Sequence, residues 1–126
     1  MSNNEVLSST ILAKKRHEMR ERGGVNWLID LFIDELPNYL NELQQAITTN
    51  DGEALFLAAH KFKGSCSNLG AVGMVALCKK LEGLGRAGDI QQATVLMEKD
   101  MNFGIKQLKE ALELEKQYEN SQVVKA

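Results

Sequence analysis

The chain has 126 residues, 44% hydrophobic and 25% charged, with a formal net charge of −2, which fits one soluble globular domain with a single modest core. A pI near 5.7 leaves no basic surface for nucleic acid or an anionic membrane. No apolar run approaches the ~18 residues of a membrane span and no signal-peptide pattern opens the chain, so a cytoplasmic location is expected.

Taken in order, the chain reads as helices only. Residues 1–8 are polar and short of core residues, and a loose tail is expected there. Ser8 or Ser9 caps a helix over about 9–21 that carries Ile11, Leu12 and a charged run; His17 in that run reads as a solvated residue. Gly23 and Gly24 end it. A second helix runs from about Asn26 to Thr49, with Leu28, Phe32, Leu36, Leu40, Leu43 and Ile47 on one stripe; Pro37 bends it without splitting it. Asn50 or Asp51 caps the next helix, Asn50 having capping-box spacing to Glu53.

The third helix spans about 54–69, and Ala71, Val72 and Gly73 turn the chain into a fourth from Met74 to Ala87. Gly88 stops that helix and Asp89 caps the last one, about Ile90 to Tyr118. Its expected core residues include Ala93, Leu96, Met97, Phe103, Leu108 and Leu112, and SQVVKA, within residues 119–126, is expected to be a loose tail. No stretch alternates at period two for long enough to be a strand. Short loops between amphipathic helices predict an all-α fold: an antiparallel four-helix bundle over about 26–118, with the N-terminal helix added as a lid.

One residue breaks the apolar logic. Stepping about 100° per residue along the third helix, Leu55, Ala58, Ala59, Phe62, Cys66 and Leu69 share an inward stripe. His60 lies roughly 200° from Phe62 and points outward, among Glu53, Phe56, Leu57, Lys63, Gly64 and Ser67. Lys63 and Gly64, at i+3 and i+4, are its neighbours on the next turn. The lysine suits an anionic group carried on the imidazole. The glycine, about 1 kcal/mol worse than alanine in a helix, suggests that another molecule needs clearance. On spacing alone, a solvated histidine beside a solvated lysine is the open alternative.

The segment Ala59, His60, Lys61, Phe62, Lys63, Gly64, Ser65, followed by Leu69, Gly70 and Ala71, resembles the signature of histidine-containing phosphotransfer (HPt) domains. Downstream, Leu77 to Glu82 and Leu84 to Asp89 resemble that family's following helix and turn. The resemblance implies a single HPt-like domain whose phosphoacceptor is His60, reacting through its outer ring nitrogen. It implies as partners the receiver domains of response regulators or hybrid kinases, which bring an aspartate and Mg²⁺. Arg86 matches a basic position that helps stabilise the phosphohistidine region in some relatives; a solvated last-turn arginine is the alternative. Glu82 stands where some relatives carry glutamine, and an inward-pointing acid would repel phosphate, which puts a phosphate-binding role in doubt. Phe56 and Leu57 are expected to form an apolar collar for the receiver, with Ser67 and Arg86 as further partner contacts; the alternative has Phe56 and Leu57 packed on the second helix.

The chain has no phosphate-binding glycine loop, no acidic cluster for Mg²⁺ and no base to activate Ser65 or Ser67. Neither cofactor nor metal is expected: Cys66 faces inward and His60 outward, so they cannot converge on one ion. Cys66 and Cys78 read as buried free thiols. The expectation is a monomeric phosphohistidine carrier without kinase or hydrolase activity of its own, passing phosphoryl groups between receiver aspartates. The chain starts at Met1 and carries no kinase region, which favours a standalone protein over the acceptor part of a kinase. The rival readings are a helical adaptor that binds receivers without being phosphorylated, and a plain scaffold or dimerisation unit.

Overall fold

The computed structural model describes residues 5–20 and 24–125. The expectations for residues 1–4, for the helix end at Glu21, for the stop at Gly23 and for Ala126 lie outside the described residues. The helices are α1 (Ser9–Met19), α2 (Val25–Thr48), α3 (Gly52–Leu69), α4 (Val72–Ala87), α5 (Ile90–Leu96) and α6 (Asn102–Lys125), with a π-helical turn over Met97–Met101 between the last two. α2, α3, α4 and the α5–α6 rod form the four-helix bundle, and α1 lies across α2 and α3. Among the described residues no helix is long and apolar enough to cross a membrane.

Local chemistry sets the helix ends. Ser8 caps α1 by accepting from the Ile11 amide (3.2 Å). Asp51 caps α3 through the Ala54 amide (3.0 Å), whereas Asn50 takes a φ of 55° in the left-handed region. Gly70 ends α3 with a φ of 81°, a conformation glycine adopts without a Cβ penalty, and the amides of Gly70 and Ala71 bond back to Ser67 and Cys66. α2 is continuous through Pro37, which sits on the exposed side, where the loss of one backbone hydrogen bond costs least.

Three expectations are corrected. Residues 5–8 are not a loose tail: the Ser8 amide donates to Gly70 O (2.8 Å) and the Gly73 amide to Val6 O (3.4 Å), while Val6 and Leu7 pack on the core. Nor is the chain loose from residue 119. α6 continues to Lys125, and Glu119 accepts from the Val25 amide (2.7 Å) and pairs with Arg16 (3.1 Å). Gly24 has no side chain to cap α2, so Glu119 supplies the carboxylate from α6. Finally, Phe103 is 62% exposed rather than in the core. The π turn inserts one residue of extra phase, so the buried stripe passes from Leu96 to Met101, Ile105, Leu108 and Leu112.

α3 and α4 meet most closely, and glycine permits it. A Cβ built on Gly85 would lie 2.7 Å from Gly52 O and 2.8 Å from the Phe56 amide nitrogen. Both are backbone atoms, so the helices themselves would have to separate. Gly85→Ala is expected to destabilise the fold by about 1–3 kcal/mol despite alanine's better helix propensity. Chemical denaturation measures this, and a midpoint at or above that of the wild type would contradict the close approach.

Candidate functional site

The outward face of α3 is centred on His60, whose side chain is 63% exposed. The backbone places it there because the apolar stripe of α3 points the other way: Phe62 is fully buried and stacks between Phe32 (6.3 Å) and Tyr39 (5.0 Å) of α2. The close α3–α4 approach brings Glu82 beneath the imidazole. One Glu82 oxygen lies 2.7 Å from His60 Nδ1, and the other accepts from Lys63 Nζ at 2.9 Å. The Glu82 side chain is only 13% exposed, against 24% for Lys63.

Charge fixes the tautomer at this contact. Burial pushes the Glu82 carboxyl up, but hydrogen bonds from Lys63 and His60 and their charges outweigh it and hold it below the usual range. This pairing stabilises the fold above the ordinary carboxyl range and is lost as pH falls through the lowered value. An ionised carboxylate only accepts, so Nδ1 must donate, and neutral His60 keeps its lone pair on Nε2. Nε2 is the ring nitrogen on the side away from Glu82.

Phe56, one turn before His60, stacks on the imidazole with ring centroids 5.8 Å apart and planes 18° apart. The Arg86 guanidinium lies 4.2 Å over the same phenyl ring, a cation–π contact. Phe56 therefore buttresses the histidine and Arg86 backs Phe56. Gly64 has open space around it: a Cβ there meets nothing within 4 Å. Gly64 and Ser67 line a groove between α3 and α1 that also includes Ile11, Lys14, Lys15 and Glu18. Leu57 is apart from this cluster, 57% exposed, on the side of α3 that faces Glu42 and Gln45 of α2. Lys61 faces solvent and pairs with Glu42 (3.1 Å).

Of the residues singled out in the sequence, His60, Lys63, Phe56 and Arg86 are brought together, Gly64 and Ser67 flank them, and Leu57 is not part of the cluster. Glu82 is the residue that sequence reasoning undervalued. It is inward-pointing, but Lys63 neutralises it. The available signal was the pairing of an unpartnered acid on α4 with two basic groups on α3, brought within reach by Gly52 and Gly85. Cys66 and Cys78 are buried free thiols; the Cys78 thiol as hydrogen-bond partner, then burial, pushes Cys66 up, away from thiolate reactivity. Among the described residues no group of three or more His, Cys, Asp or Glu side chains could hold a metal ion.

The family model of the Hpt domain matches residues 28–120. The fold is similar to the crystal structure of histidine-containing phosphotransfer protein B (HptB) from Pseudomonas aeruginosa PAO1. The two share 32% sequence identity and a TM-score of 0.82, over 90% of this chain and 96% of that one. No curated protein matches the sequence. Matched by that family model across the bundle and folded like a histidine-containing phosphotransfer protein, the chain belongs to the Hpt family.

Proposed function

We propose that this protein relays phosphoryl groups between receiver-domain aspartates, with His60 as the carrier. The observation that carries the reading is the exposed imidazole whose Nδ1 is held by Glu82, which leaves the Nε2 lone pair outward. A held ring presents one nucleophilic nitrogen in one orientation, which lowers the entropic part of the barrier. Lys63, one turn along α3, offsets charge on the phosphoryl oxygens as they arrive. The chain offers no nucleotide loop, so the receiver is the partner that brings the aspartate, the metal and the in-line geometry.

The remaining surface serves docking. Gly64 gives the receiver backbone-close access beside His60. Ser67 contacts the partner from the α1–α3 groove, Leu57 from the α2 side, and Phe56 and Arg86 from the α4 side while they brace the ring. The protein acts in the cytoplasm as a monomer and has no kinase or hydrolase activity of its own.

The test starts from a receiver labelled on its aspartate. Addition of this protein is expected to strip the label from the receiver and transfer it to this chain. Binding without transfer would make the protein an adaptor and overturn the reading.

Gly64 yields a second prediction. Because nothing crowds its Cβ position, Gly64→Ala is expected to raise folding stability by about 0.5–1 kcal/mol. Gly64→Gln, which extends into the docking space, is expected to slow transfer by about 10- to 100-fold by displacing the partner by an ångström or so. Melting curves and transfer rates measure the two effects, and an unslowed Gln variant would remove the clearance role.

A further inference from the structure

Phe56 meets His60 on a face of the imidazole and not at either nitrogen. The two ring centroids lie 5.8 Å apart with the planes 18° from parallel, and Phe56 is half-buried. Resting on the proposed carrier role, we infer that Phe56 is a positioning residue whose π face sets the phosphoryl equilibrium. It holds the charged, phosphorylated ring more tightly than the neutral one, and so draws the group toward this protein.

The charge arises from the transfer itself. In uptake, the Nε2 lone pair forms the N–P bond while the P–O bond to the receiver aspartate breaks, its electron pair leaving on the carboxylate. No proton moves, and the imidazole passes from neutral to cationic. In donation, an aspartate oxygen forms the P–O bond, the N–P pair returns to Nε2, and the ring is neutral again. A phenyl face carries partial negative charge, and a cation within about 6 Å of its centroid is attracted to it. The neutral imidazole in the same place gains only an aromatic stacking contact. It is the difference between these two states that enters the equilibrium. The phosphoryl group is bonded in the imidazole plane, at Nε2, and does not come between the two rings.

The phenyl ring is in place before any partner arrives. A Cβ on Gly85 would lie 2.8 Å from the Phe56 amide nitrogen and 3.2 Å from its Cα, so α4 backs directly onto this residue. Arg86, next along α4, brings its guanidinium 4.2 Å from the phenyl centroid. Leu57, the neighbouring apolar residue, has no such support and is 57% exposed. The two residues therefore divide the work: Leu57 offers surface, and Phe56 acts through His60.

The test uses one receiver domain labelled on its aspartate with radioactive acetyl phosphate. Second-order rate constants for uptake and for return are measured for the wild type, Phe56→Leu, Phe56→Met and Phe56→Tyr. Their ratio is the equilibrium constant between free species, so docking affinity drops out of it and the receiver's own chemistry cancels between variants. Phe56→Leu and Phe56→Met keep apolar bulk without a π face, and each is expected to lower the ratio about 2- to 5-fold. Phe56→Tyr keeps the face and is expected to match the wild type. Rates reduced by the same factor in both directions, with the ratio unchanged, would make Phe56 a brace or docking residue only. That result would overturn the inference and leave the carrier reading intact. A Phe56→Tyr ratio as low as that of Phe56→Leu would also overturn it, since shape and not the π face would then be at work. No uptake by the wild type would overturn the carrier reading and this inference together.

Discussion

Phe62→Ala will cost the protein about 3–5 kcal/mol of folding stability, the range for removing a buried aromatic ring from a packed core. Phe62 is fully buried, and its ring is the contact through which α3 packs on Phe32 and Tyr39 of α2. Truncation loses the apolar transfer free energy and leaves a cavity between two rings fixed on another helix, which cannot collapse freely. Against a typical total of about 5–15 kcal/mol, the variant will melt far below the wild type. Urea denaturation with an unchanged slope measures the loss, and a loss under about 1 kcal/mol would contradict the assignment of Phe62 as the hub of the α2–α3 contact. Because Phe62 faces away from His60, the molecules that remain folded in the cold should still transfer phosphoryl groups.

That opposition of Phe62 and His60 was legible in the sequence, because both follow from the single period of one well-formed helix. So were the helix stops at Gly70 and Gly88 and the cap at Asp89, each set by chemistry within a few residues; the caps at Ser8 and Asp51 were legible only as one of two neighbours, Ser8 or Ser9 and Asn50 or Asp51. Phe103 was not, because the π turn at Met97–Met101 shifts the phase of the rod and no local residue pattern marks it. Glu119 reaches the α2 N-terminus from the far end of the chain, and residues 5–8 lean on the α3–α4 turn. Such long-range partners do not leave a trace in local periodicity.

The site divides in the same way. His60, Lys63 and Gly64 lie within five residues on one helix, and spacing alone puts them on one face. Glu82 belongs to another helix, and its place depends on how closely two backbones pack at Gly52 and Gly85. The wheel places Phe56 beside His60, but it does not carry the stacking of the ring on the imidazole or the Arg86 guanidinium over it. Side-chain direction, which the wheel does not carry, made that difference.

His60→Gln has the largest expected effect on function: loss of all detectable phosphoryl uptake. The glutamine amide can still donate to Glu82, so the surroundings are kept, but its nitrogen lone pair is delocalised and does not attack phosphorus. The substitution sits on a largely exposed side chain, so stability should change by no more than about 0.5 kcal/mol. The decisive measurement is therefore label transfer from a phosphorylated receiver to the wild type and to His60→Gln side by side. Acid-labile, alkali-stable label on the wild type and none on the variant is the predicted result. Equal label on both chains would place the acceptor elsewhere, with His17 the other histidine, and would contradict the account.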